Sequence, residues 1–138
     1  MKIDYLGDLI KITGSFIVIL TETWLKADVL DAELNIPGFK LYRQDRLNKS
    51  HGGVCMYIRE DVSAQVSFSS SNQSVECLMV KIKELKSLHF VIYRPGMVTG
   101  SGFIETMDKL SEEIDLCQAN GQYPLINGYG DYNFPEQK

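Results

Sequence analysis

Phe16 to Leu25 reads F-I-V-I-L-T-E-T-W-L, and the fold turns on how this stretch is read. Its first half is an apolar, β-branched run preceded by Thr13-Gly14-Ser15, the pattern of a strand buried on both faces in the middle of a helix-covered sheet. Its end delivers a carboxylate, Glu22. In open α/β sheets ligands gather outside the carboxyl ends of strands, so Glu22 stands where a metal ion or a polar substrate would be met. The competing reading is a solvated loop carboxylate, since strand ends carry Glu for no special reason. Trp24 lies among aliphatics and reads as a packing residue rather than a platform for stacking bases.

A second stretch bears on that choice. Tyr123 to Pro135 reads Y-P-L-I-N-G-Y-G-D-Y-N-F-P, a shorter apolar strand that ends in Gly130-Asp131-Tyr132-Asn133. Side chains alternate along an extended segment, so Asp131 and Asn133 share one side. If their strands are parallel neighbours, Glu22 and Asp131 meet at one edge of a sheet. Asn127-Gly128 interrupts the apolar run and predicts a bulge there.

Outward from these two strands, Ile3, Leu6 and Ile10 recur at helical spacing, which predicts a short amphipathic helix over 2–12 closed by Thr13-Gly14. A helical turn is expected near 29–34, before the turn at Pro37-Gly38. Phe39 to Arg46 and Gly53 to Arg59 read as an antiparallel pair joined by the polar loop L-N-K-S-H-G-G. Arg43, Arg46 and Lys49 would bring positive charge to a phosphate at that loop, and Gly52-Gly53 would let a backbone approach closely. An ordinary hairpin connection with solvated charges is the alternative, and His51 reads as a loop residue. The serines between 67 and 74 read as a flexible link. V-E-C-L-M-V-K-I-K and S-L-H-F-V-I-Y-R-P follow as two strands around a polar turn at 84–87, the second ending in Tyr93-Arg94-Pro95. Phe103, Met107, Leu110, Ile114 and Cys117 then mark one face of a helix over 101–119 that should cover the sheet.

Composition excludes little. A chain of 138 residues is long enough to bury one core. Its net charge of −4 argues against tight, nonspecific DNA binding, although carboxylates at a metal site and a local basic loop can share one domain. The three cysteines, Cys55, Cys77 and Cys117, have no paired C-x-x-C spacing and read as reduced, mostly buried residues of an intracellular protein. The N-terminus lacks the pattern of a secretory signal, and the longest apolar run is too short to span a bilayer. No secretion and no membrane partner are expected.

The set L-T-E-T-W-L at 20–25, I-P-G-F-K-L-Y-R-Q-D-R at 36–46, G-G-V-C-M-Y-I-R-E at 52–60, Y-R-P at 93–95 and G-D-Y-N-F-P at 130–135 resembles the endonuclease/exonuclease/phosphatase superfamily. More narrowly, it is similar to the endonuclease domain at the N-terminus of LINE-type (non-LTR) retrotransposon polyproteins, from about Lys2 to Pro135. The resemblance implies a DNase-like α/β sandwich, one partial domain over 1–138 holding the first half to two thirds of the fold, with a mixed sheet and flanking helices. It implies metal-dependent phosphodiester hydrolysis, with Glu22 as ligand to Mg²⁺ (Mn²⁺ being the alternative). Asp131 would orient or deprotonate the attacking water, Asn133 would hold the phosphate or the metal shell, and Tyr93 would take the place of the family's active-site tyrosine. DNA is the implied substrate, a polyprotein with a reverse transcriptase the implied context, and the nucleus the implied location. A purely structural Tyr93 is the alternative on the residues alone.

The resemblance also implies something missing. A preceding strand with an Asn metal-site residue, and a later Ser/Thr-Asp-His ending, have no counterpart in 1–138. Both helices are therefore expected on one face of a single sheet, with most of the second sheet absent and an apolar face left open to self-association. Weak or no activity of this chain alone is expected, and a non-catalytic remnant or interaction module keeping half the fold stands as the second function.

Overall fold

A computed structural model describes residues 3–25, 28–46, 52–72, 75–94 and 101–131 of the chain. Two antiparallel-rich sheets face each other, with one helix on the outside of each. Helix α1 spans Ile3–Thr13, and strands β1 (Ile17–Thr21), β2 (Phe39–Gln44) and β3 (Val54–Arg59) follow, with a single 3-10 turn at Asp31–Leu34. Then come β4 (Ala64–Ser71), β5 (Glu76–Ile82), β6 (Ser87–Tyr93), helix α2 (Ser101–Gln118) and β7 (Leu125–Asp131). The first sheet has the order β1-β3-β2 and the second β4-β5-β6-β7. Among the described strands only β6 and β7 pair in parallel, with α2 between them in the chain.

Alternation along the strands builds the layers. Val54, Met56 and Ile58 of β3 meet Leu78, Val80 and Ile82 of β5 and Val91 of β6 between the sheets, with Ile17 and Ile19 at their side. The opposite residues of the first sheet, Val18, Leu20, Cys55 and Tyr57, pack on Leu6 and Ile10 of α1. On the far side Cys77, Met79, Leu88 and Ile92 pack under Phe103, Met107, Leu110, Ile114 and Cys117 of α2. The apolar stripe read from the sequence is thus the buried face of α2. Helix α1 ends where Gly14 takes φ +64° and returns its N–H to the Ile10 carbonyl at 2.8 Å. The Tyr57 hydroxyl crosses the outer layer to the Leu34 carbonyl at 2.8 Å and fixes the 3-10 turn.

Several expectations are corrected. The helices lie on opposite outer faces, not on one, because each apolar stripe covers a different sheet. The second sheet is present with four strands. β1 has both faces covered but is an edge strand, and β3 is the central one, buried from Val54 to Ile58. The serine-rich stretch is no link: its serines up to Ser71 complete β4 and pair with β5. A register shift between Val66 and Phe68 puts Ala64 against the inter-sheet core and Phe68 under α2, which breaks the period-2 pattern and hides the strand. The expected bulge in β7 is absent, since its pairing with β6 runs unbroken from Ser87↔Leu125 to Tyr93↔Asp131. Gly128 is there because the Phe90 ring lies where any Cβ would go. Exposed apolar residues are scattered over α1 (Tyr5, Leu9, Ile12), α2 (Ile104, Leu116) and the edge strand β7 (Leu125, Ile126, Tyr129) rather than gathered on an uncovered sheet face. Among the described residues no helix is long and apolar enough to cross a membrane.

Candidate active site

The carboxyl ends of β1, β2, β6 and β7 and the starts of β3 and β5 lie at one end of the sandwich. Glu22 immediately follows β1 and is exposed. The Tyr93 hydroxyl, at the end of β6 in the other sheet, donates to Glu22 Oε1 at 3.0 Å. Two of the sequence-predicted residues are thereby joined across the two sheets, a placement that strand order alone does not give. Asp131 is the register partner of Tyr93 at the end of β7, so its backbone lies beside the same site. β1 and β7 belong to facing sheets, not to one as parallel neighbours, and they touch across the sandwich. The Asp131 side chain, Asn133 and Lys49 lie outside the described residues, as do His51 and Pro95.

The backbone that carries Glu22 is unusual. Glu22 and Trp24 take φ +51° and +58°, the left-handed region, which costs a residue with a side chain about 1–2 kcal/mol. Two hydrogen bonds hold them there: Thr23 N–H donates to the Gly53 carbonyl at 3.3 Å and Trp24 N–H to the Gly52 carbonyl at 2.9 Å. The outcome is that Thr23 and Leu25 point inward, 6% and 7% exposed, while Trp24 is 56% exposed beside Glu22. Trp24 is therefore not the packing residue expected from its aliphatic neighbours. The left-handed turns reverse which side chains face in.

Glu76 is the residue that sequence reasoning passed over. It opens β5 on the inner side, is fully buried, and accepts the Gly53 N–H on Oε1 at 2.8 Å. Its Oε2 and the Thr23 Oγ1 have no hydrogen-bond partner among the described residues. Burial pushes the Glu76 carboxyl above its ordinary range, while the Gly53 N–H and the positive charge of Arg46 pull it back. Gly52 and Gly53 stand at φ +91° and +90°, and their lack of a side chain is needed for close approach. A Cβ on Gly52 would run into Glu76 Oε1 and come within 2.7 Å of Arg46 Cδ, and one on Gly53 would come within 2.6 Å of Thr23 Oγ1. The one available signal was a carboxylate at the head of an otherwise apolar run, V-E-C-L-M-V.

The basic residues divide. Arg46 lies against Gly52 and Glu76 at the site. Arg43 is engaged structurally: it bonds Asp45 and Asp31, at 3.0 Å in the latter case, and donates to the Val29 carbonyl at 2.7 Å. The Asp45 carboxylate above all holds its guanidinium above its ordinary range. Arg94 lies over the Phe103 ring of α2, 5.4 Å from its centre.

The architecture is that of the DNase-like fold of endonuclease/exonuclease/phosphatase-type structures, and the chain spans about half the length of those it matches. The catalytic domain of human Nocturnin with a bound sulfate anion matches with a TM-score of 0.57 at 13% identity, over 94% of this chain and 55% of that one. The mannosyl-6-phosphatase of Bacteroides thetaiotaomicron matches at 0.59 and 14%, over 96% and 56%. Truncated TDP2 of Caenorhabditis elegans matches at 0.55 and 17%, over 96% and 55%. No protein-family model matches the sequence, and no curated protein does. Among the described residues no three His, Cys, Asp or Glu side chains converge as a ready-made metal cage.

Proposed function

We propose that the Glu22–Tyr93 end of the sandwich is a divalent-metal site for phosphodiester hydrolysis, and that the chain is endonuclease sequence of a LINE-type retrotransposon protein acting on DNA. The observation that carries this is the Tyr93-to-Glu22 hydrogen bond across the sheets, at the strand ends of a DNase-like fold. Glu22 is an exposed carboxylate whose one oxygen is held by a phenol, a hard-oxygen donor of the kind Mg²⁺ takes while keeping several waters. Mn²⁺ fits the same donors; soft metals, which favour thiolate, do not. When bound, such an ion stabilises charge on a phosphate oxygen and on the departing 3′ oxygen.

The chain's own residues do the rest. Tyr93 fixes the Glu22 carboxylate and has a hydroxyl near enough to meet a phosphate oxygen. Asp131 takes the proton of a water whose oxygen bonds phosphorus as the bond to the 3′ oxygen breaks; the 3′ oxygen takes a proton from solvent, leaving a 5′ phosphate and a 3′ hydroxyl. Asn133 orients the phosphate, and Arg46 and Lys49 face the neighbouring backbone phosphates. Exposed Trp24 offers a face on which a base can stack, a contact worth about 1–3 kcal/mol. The polyprotein context, and with it a nuclear location, rests on the motif set from L-T-E-T-W-L to G-D-Y-N-F-P, and a reverse transcriptase frame downstream of this sequence is its direct test.

Nicking of supercoiled plasmid with and without EDTA tests the activity. The 138-residue chain is expected to nick negligibly, and the same chain extended through its downstream reading frame to nick with Mg²⁺, with loss in Glu22→Ala and Asp131→Ala. An extended chain that does not nick would overturn the endonuclease reading. It would favour the second reading, a non-catalytic interaction module, which the exposed apolar edge strand β7 supports. Self-association through β7 belongs to either reading.

A further inference from the structure

We infer that Glu76 is a positioning residue for the Glu22 end of β1, acting through the Gly52–Gly53 turn rather than by touching a ligand. The contacts form a chain. Glu76 Oε1 accepts the Gly53 N–H at 2.8 Å, and the Gly53 carbonyl accepts the Thr23 N–H at 3.3 Å. The Gly52 carbonyl accepts the Trp24 N–H at 2.9 Å, and between Thr23 and the end of β1 lies Glu22, at φ +51°. A left-handed residue with a side chain persists only where its surroundings over-determine it, and the described bonds that do so here come from the Gly52 and Gly53 carbonyls.

That turn has little of its own to hold it. Both glycines are in the left-handed region, where glycine is conformationally permissive, and β3 begins only at Val54. Glu76 ties it to the opposite sheet. The carboxylate is fully buried, and a buried carboxylate is costly unless its bonds do something in return. A purely structural residue at this inner position would be apolar, as Leu78 and Val80 are along the same face of β5. Glu76 is also the register partner of Tyr93, so one pair of β-strand neighbours bears on Glu22 twice: the Tyr93 hydroxyl directly on its carboxylate, and the Glu76 carboxylate indirectly, through Gly53, on the backbone beside it.

The consequence for metal binding rests on the proposed function, whereas the consequence for the backbone does not, and the experiment separates them. Amide hydrogen exchange and Trp24 fluorescence, Trp24 being the only tryptophan, are read in the wild-type chain, Glu76→Ala, Glu76→Gln and Glu22→Ala, each also titrated with Mg²⁺. In Glu76→Ala the Thr23 and Trp24 amides are expected to exchange about tenfold faster or more, Trp24 emission to change, and Mg²⁺ affinity to fall about tenfold, with amides at the middle of β5 and β6 unmoved. Glu76→Gln keeps an oxygen for Gly53 and is expected to restore all three. Wild-type rates at Thr23 and Trp24 in Glu76→Ala, or a Gln variant no better than Ala, would overturn the inference. If Glu76→Ala does not fold, the Gly53 amide of the wild type decides: exchange as fast as that of an open loop overturns it, and strong protection supports it. Unchanged Mg²⁺ affinity in Glu22→Ala would instead sink the metal site and leave the positioning result standing.

Discussion

β5 and β7 flank the same strand, β6, and could hardly differ more. In β5 every residue but Lys81 is buried, and its two faces supply both apolar cores of the second sheet. In β7 residues 125–130 are all exposed, and the outer backbone edge of the strand faces no further strand among the described residues. One neighbour of β6 supplies the core, and the other sets the Asp131 backbone beside Tyr93. The difference shows that the described core lies on the β3–β5 side, while β7 leaves its side chains in the open.

Breaking the comparison is simplest in urea. Leu78→Ala, at a site 1% exposed, is expected to lose about 2–5 kcal/mol of stability, and Ile126→Ala on β7 less than about 0.5 kcal/mol. Equal losses would mean that β7 belongs to the cooperative core. Alkaline pH sharpens the contrast further. Burial pushes the Cys77 thiol of β5 up from 9.0 to about 12, and that of Cys55 on β3 likewise. The folded chain therefore keeps protons that the unfolded chain has released, so stability is full below pH 9 and falls as pH rises toward 12. A Cys77→Ala variant should lose less between pH 9 and 11 than the wild type; an equal slope would show that the thiol is not shielded.

β7 has one position where a large effect is expected. At Gly128 a Cβ would strike the Phe90 ring, so Gly128→Ala is expected to cost about 1–3 kcal/mol, and a neutral result would mean that β7 moves freely away from β6. The smallest effect on stability concerns Ile126→Lys, which should leave urea unfolding unchanged while shifting sedimentation toward monomer, because charge on an edge strand opposes pairing. Wild-type protein that is already monomeric at tens of micromolar would remove the self-association proposal.

Much of this was legible in the sequence. β1, β3, β5 and β6 announce themselves as apolar runs, and the face of α2 could be written down residue by residue, because burial on a helix or strand leaves a period. Glu22 and Tyr93 stand at the ends of such runs, and the hydrogen bond between them is what the sequence does not state. What stayed hidden has physical causes. A period states that a helix has a buried face, but not which sheet covers it, so the sequence does not separate α1 and α2 to opposite sides. A bulge hides β4, since one extra residue exchanges inward for outward. Left-handed backbone at Glu22 and Trp24 turns an apparent packing tryptophan outward, and no composition rule anticipates such a φ for those residue types. Glu76 was passed over because its meaning lies in Gly53, on the other sheet.

Cation binding at Glu22 is the most direct test of the proposed site. Calorimetric titration of the 138-residue chain with Mg²⁺ is expected to show one site, its affinity reduced several-fold in Tyr93→Phe and lost in Glu22→Ala, with all three chains equally folded by circular dichroism. Heat of binding that is the same in Glu22→Ala as in the wild type would contradict it.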